Sequence, residues 1–199
     1  MRRAAISSTV LLLIGLLPAC DQRNAANSPP ASPASSPSAA AGQIAGSAVS
    51  FMNSAAVSGL LEEQASRLAE QKSNDFRTRE LAKKLAKDHA QANQELAQLA
   101  AAKNVVLPQQ LDQEHQAKLQ SLQSVATDQF DSNYAGLLVA GHNQAVMLFE
   151  QEAKAGQDAD VRAFAQRQLP KLREHLEQMQ ELPSLSAAER APSPTPNPR

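Results

Sequence analysis

The feature that most constrains this chain is a set of apolar stripes at three-and-four spacing, sustained over long stretches. Leu81, Leu85, Ala92, Leu96 and Leu99 form one stripe; Leu138, Ala145 and Phe149 form a second; Val161, Phe164, Leu172 and Met179 form a third. That period puts each set on one side of an α-helix. No segment shows the two-residue alternation or β-branched enrichment of a strand. The dominant residues, Ala, Leu, Gln, Glu and Lys, are good helix formers. The spacing predicts helices over 48–72, 75–103, 111–125, 127–155 and 158–182. Ser73 and Asn74 are expected to supply a turn and an N-cap, Pro108 to interrupt the chain, and Thr127 or Asp128 to cap the next helix. Gly156 should stop that helix and Asp158 open the last one. Two antiparallel hairpins with short turns, joined by a longer connection carrying the short helix, predict an all-α, up-and-down four-helix bundle.

The stripes are confined to residues 48–182, a length that supports one domain with its own core. Residues 20–47 differ in kind: Ser28, Pro29, Pro30, Ser32, Pro33 and Pro37 stand in a run without apolar periodicity. Such a segment buries too little surface to offset its chain entropy, so a disordered tether is expected, reaching roughly 30 Å as a coil. Residues 183–199, where Pro192, Pro194, Pro196 and Pro198 alternate with other residues, read as a disordered tail. Residues 1–19 have the layout of a secretory signal: Arg2 and Arg3, then an apolar run over 10–17 too short to span a bilayer stably. The run ends in Leu17-Pro18-Ala19-Cys20, which resembles a lipobox. That resemblance implies cleavage before Cys20, diacylglycerol on its sulfur, and an exported protein held to a bacterial membrane facing the periplasm. Cys20 is the only cysteine, so no intramolecular disulfide can form, and lipidation would cap an otherwise free exported thiol. With 19 basic residues against 20 acidic ones, no basic cluster and no tryptophan, nucleic-acid binding is excluded.

Three of the four histidines fall on the buried stripes. His89 lies four residues after Leu85, His142 four after Leu138, and His175 three after Leu172. Glu62 occupies a fourth stripe, with Ala55, Ser58, Ala65 and Ala69. One ligand-capable side chain from each of four helices at similar depth is a common way for bundles to build a metal site. A histidine-rich set suits zinc, copper or nickel. The competing reading is a hydrogen-bonded polar cluster without metal, since every buried imidazole needs partners; the domain would then be a structural or partner-binding module of the cell envelope. No histidine follows a glutamate by three residues, as the di-iron bundles require, so ferritin-like oxidoreductase chemistry is disfavoured. Asp112-x-x-His115 comes nearest, on the short helix. Asp88, Glu114 and Glu174 directly precede histidines and are expected to face a neighbouring helix or solvent. Pro170 should free a carbonyl one turn back and kink the last helix before His175. Gly136 and Gly141 are read as allowing close helix approach. No P-loop, dinucleotide fingerprint, Cys-x-x-Cys pair or Ser-His-Asp order is present.

Taken together, Gly59-Leu60-Leu61-Glu62, Asp88-His89, Leu107-Pro108, Glu114-His115, Phe130-Asp131 with Tyr134, His142, and Leu169-Pro170-Lys171-Leu172-Arg173-Glu174-His175 resemble the bacterial family called domain of unknown function 4142. The resemblance runs from about residue 51 to 182. It implies a ferritin-like fold in exported or membrane proteins and no particular activity, since such folds host many functions. One departure stands out: the family tends to carry an acid before the histidine of the fourth helix, where this chain has Gly141.

Overall fold

The computed structural model describes residues 46–182. Cys20, the signal segment, residues 20–45 of the tether and the C-terminal tail lie outside the described residues, while Gly46 and Ser47, read as the end of the tether, open the first helix. Five helices follow in order: α1 (Gly46–Lys72), α2 (Phe76–Ala102), α3 (Gln113–Ser124), α4 (Thr127–Ala155) and α5 (Ala159–Gln180). No strand occurs among the described residues, and none of the described helices is long and apolar enough to cross a membrane. The all-α bundle expected from the stripes is what forms. α1 packs chiefly on α2 and α4 on α5, the two hairpins; α1–α4 and α2–α5 contacts join them, and short α3 lies against α1 and α4.

Local chemistry fixes the ends. Asp75, rather than Ser73 or Asn74, is the N-cap of α2, its carboxylate accepting from the Thr78 amide at 2.7 Å. Ser73 instead exchanges hydrogen bonds with the Asp75 backbone and shapes the turn. At the far end Val105 N–H donates to the Ala100 carbonyl and Asn104 N–H to that of Ala101, a Schellman closure. It places Asn104 at φ 56°, a left-handed conformation that asparagine tolerates. α4 begins without a side-chain cap: Ala126 holds that position, and the expected caps Thr127 and Asp128 are already helical. Asp128 there still favours the positive end of the helix. Asp158 caps α5 through the amides of Asp160 and Val161, and Gly156 closes α4, both as the sequence reads. α5 runs through Pro170 without interruption. Gly136 is exposed with open space beside it, so it mediates no close helix approach.

The apolar interior divides in two. One layer gathers Phe51, Met52, Leu96, Phe149 and Phe164. The other gathers Leu61, Leu85, Phe130, Tyr134, Leu138 and Met179. On α2, α4 and α5 the histidine of the stripe, His89, His142 and His175, falls between the helix's contributions to these two layers, and on α1 Glu62 stands next to Leu61 where the second-layer run begins.

Candidate metal centre

The four residues named from the stripes meet in the middle of the bundle. Glu62 is 4 % exposed, His89 4 %, His142 0 % and His175 2 %. The three imidazole rings form a triangle with centroids 5.2, 5.4 and 5.6 Å apart. One ring nitrogen of each lies within 4.8 Å of one nitrogen of both others.

The hydrogen bonds decide which nitrogens are free to act. Nδ1–H of His142 donates to the Leu138 carbonyl at 3.0 Å, the carbonyl one helical turn back. Nε2–H of His175 donates to Oδ2 of Asp88 at 3.0 Å. Those two bonds fix the tautomers and leave His142 Nε2 and His175 Nδ1 bare in the neutral rings. The two bare nitrogens face each other at 3.5 Å. For His89, Nδ1 lies 3.3 Å from Glu62 Oε2, which favours the proton on that nitrogen; its Nε2 is buried without a partner. A carboxylate or carbonyl behind each imidazole, orienting the ring and setting its tautomer, is the arrangement that supports metal-ligating histidines.

Glu62 thus stands behind two rings rather than beside their free nitrogens. Its Oε1 is 3.1 Å from His142 Nδ1, but that ring proton points at Leu138, so Oε1 receives no hydrogen bond. Burial alone would push Glu62 up. The positive charge that His142 and His89 carry when protonated outweighs it and holds the carboxyl well below the usual carboxylate range. Burial also works against the imidazolium of His142, yet the adjacent Glu62 carboxylate prevails and raises it. At His89 burial prevails and lowers the value. At His175 burial, reinforced by the charge of His89, brings it down to about 4 despite Asp88. Glu62 and His142 thus favour each other's charged forms, while burial disfavours a charge on His89 and His175.

Asp88 is the site residue that the stripes do not single out. It lies off the apolar face of α2 and reaches across to α5, while Lys84 one turn earlier holds it at 3.1 Å and also meets Glu174 at 3.3 Å. The expectation that the acids beside the histidines face a neighbouring helix or solvent holds: Asp88 meets α5, and Glu114 and Glu174 are exposed. Glu114 pairs with Lys118 on its own helix. His115 is not drawn into the triangle: its ring pairs with Asp112, which also caps α3 through the His115 amide. Tyr134 sits in the second apolar layer, its hydroxyl 3.0 Å from Ser66 Oγ, and burial raises its pKa. Gly141 does permit a close approach, though of a side chain: a Cβ there would stand 3.1 Å from Glu62 Oε1. Gly59 is tighter still, since a Cβ would fall 2.2 Å from Asn93 Oδ1.

Two cavities flank the site. One, with about 40 Å³ of water-accessible space, is lined by Glu62, Asp88, His89 and His175 and walled by apolar side chains that include Leu96, Phe149, Phe164 and Leu172. The other, about 70 Å³, lies on the α3 side of Glu62 beside Gly141, His115 and Lys118.

The sequence profile of the family described as domain of unknown function (DUF4142) matches residues 33–182. The chain belongs to the DUF4142 family. No curated protein matches the sequence significantly. Among solved structures, the crystal structure of a DUF305 fragment from Deinococcus radiodurans is similar, with a TM-score of 0.62 at 14 % identity, over 69 % of this chain and 95 % of that one. At that identity the likeness establishes the shared helical fold. Gly141 directly precedes His142 in this DUF4142 member, and Glu62 is the carboxylate set against His142.

Proposed function

We propose that this DUF4142 protein is a lipid-anchored envelope protein whose bundle binds one divalent transition metal, zinc, copper or nickel, through His89, His142 and His175. Glu62 and Asp88 act behind the rings, orienting them and offsetting the charge of the ion. The observation that carries the reading is the pair of bare nitrogens, His142 Nε2 and His175 Nδ1, facing each other at 3.5 Å with their other nitrogens committed to Leu138 and Asp88. Two lone pairs in that position need a cation between them, either a metal ion or the proton of one ring, and the unpartnered Nε2 of His89 offers a third donor to a metal. Three imidazoles leave a fourth position for an exogenous ligand. Anchoring rests on the Leu17-Pro18-Ala19-Cys20 sequence.

Calorimetric titration of metal-stripped, untagged protein with Zn²⁺, Cu²⁺ and Ni²⁺ tests it. One equivalent should bind, with proton release that grows as the pH is lowered because protons compete for the imidazole nitrogens, and His89→Ala should abolish stoichiometric binding. No heat with any of the three ions sinks the reading.

One observation favours a second reading. The Glu62–His142 contact at 3.1 Å already balances the buried charge with a proton alone. On that basis the domain is a metal-free structural or partner-binding module whose histidines respond to pH. Reproducible crosslinking of the intact protein to one envelope partner, with no metal uptake, would support it.

A further inference from the structure

We propose that the metal centre takes a small organic anion, a short-chain carboxylate, as its exogenous ligand, with the apolar tail in the cavity beside His89 and His175. This rests on the three-histidine reading of the site. The cavity touches both histidines, Glu62 and Asp88 at its polar end. Its walls come from α1, α2, α4 and α5 through Ala55, Ala92, Leu96, Phe149, Phe164 and Leu172. Two polar wall residues are occupied elsewhere: Asn93 donates to Glu63 and Gln168 to Glu95. They therefore offer little to a polar ligand body. Lys171 is the cationic side chain lining the cavity.

The charge pattern selects the head group. Without metal the carboxylates of Glu62 and Asp88 line the polar end of the cavity and disfavour an anion beside His89 and His175. A divalent ion on three neutral imidazoles reverses the sign, so an anion is attracted only to the loaded site. The apolar walls select the tail, because each methylene moved from water into them contributes about a fourfold gain in affinity. An open coordination position beneath such walls discriminates a carboxylate with an alkyl tail from chloride or hydroxide, which leave them wet. Ligation is a simple exchange: the carboxylate oxygen donates its lone pair to the metal and displaces water, with no redox change.

The experiment uses the full-length mature chain loaded with Co²⁺, whose visible absorption reports coordination. Acetate, propionate and butyrate are titrated into it. The expected result is a spectral change with each, tightening about fourfold per methylene, and no carboxylate binding to the metal-free protein. Ala92→Leu, which fills the cavity from a partly exposed position on α2, should keep the cobalt spectrum and lose the chain-length gain. Equal affinity for all three carboxylates, or none, overturns the proposal while leaving the metal centre intact. Failure to bind Co²⁺, Zn²⁺, Cu²⁺ or Ni²⁺ at all removes the centre itself, a distinct outcome. Unchanged chain-length dependence in Ala92→Leu also overturns it, since the tail would then lie elsewhere.

Discussion

The two apolar layers and the polar layer between them share the four long helices, yet they obey opposite rules. In the outer layers, Phe51 and Phe149 meet edge to face with centroids 4.9 Å apart, and Phe130 and Leu138 are buried to 0 and 1 % exposure. Burial there is favourable in itself. In the middle layer, a carboxylate and three imidazoles are buried to the same degree, and burial works against every charge they carry. The outer layers hold the fold together; the middle layer is tolerated by it.

The comparison can be broken at several points. Phe130→Ala empties a fully buried site and should lower stability by about 3–5 kcal/mol in urea unfolding. A loss under about 1 kcal/mol would mean that the outer layers are not what holds the bundle.

Acidification should act on the middle layer through its histidines. His175 and His89 have folded-state pKa values below the ordinary 6.5, His175 at about 4. Both therefore stay neutral in the fold and take up protons on unfolding. Their contribution is complete above about pH 6.5 and is lost as the pH falls towards 4, on the order of 3 kcal/mol from His175. His142, raised by Glu62, has the opposite sign: its contribution is complete below 6.5 and is lost as the pH rises through its folded value. Urea unfolding of metal-free protein between pH 7 and 4 measures the balance. Constant stability over that window would show that the rings are not buried neutral.

Replacing the whole layer, with Glu62, His89, His142 and His175 all changed to Leu or Met, should leave the metal-free fold unharmed or make it more stable by about 1–4 kcal/mol. Thermal unfolding checks this, and a collapse of the fold would make the layer a structural necessity. Asp88→Asn keeps the shape of the side chain but weakens its hold on His175. It should reduce metal affinity by about 10–100-fold with little change in unfolding. Last and smallest, Asp75→Ala removes the α2 cap and should lower stability by about 1 kcal/mol while leaving metal affinity alone.

Much of this was legible in the sequence, because period and burial are local properties. The stripes gave the five helices to within a few residues, and they put Glu62, His89, His142 and His175 at one depth. What they could not give depends on which side chains meet across helices. Asp88 lies off the apolar face of α2, and only the α2–α5 packing brings it to His175. The Leu138 carbonyl that fixes the His142 tautomer leaves no trace in residue type. Glu62 looked like a ligand because it shares the histidines' depth; the structure sets it against the Nδ1 sides of His89 and His142. The capping of α2 by Asp75 rather than Ser73 or Asn74, and the uncapped start of α4, turned on backbone angles that a list of capping residues does not specify.

The central claim is that one nitrogen from each of three histidines converges on a single ion. X-ray absorption of the metal-loaded protein tests it most directly. The account predicts a first shell containing three imidazole nitrogens at about 2.0–2.1 Å if the metal is zinc, reduced in His142→Ala. A shell of oxygens alone, or one unchanged by that substitution, would contradict it.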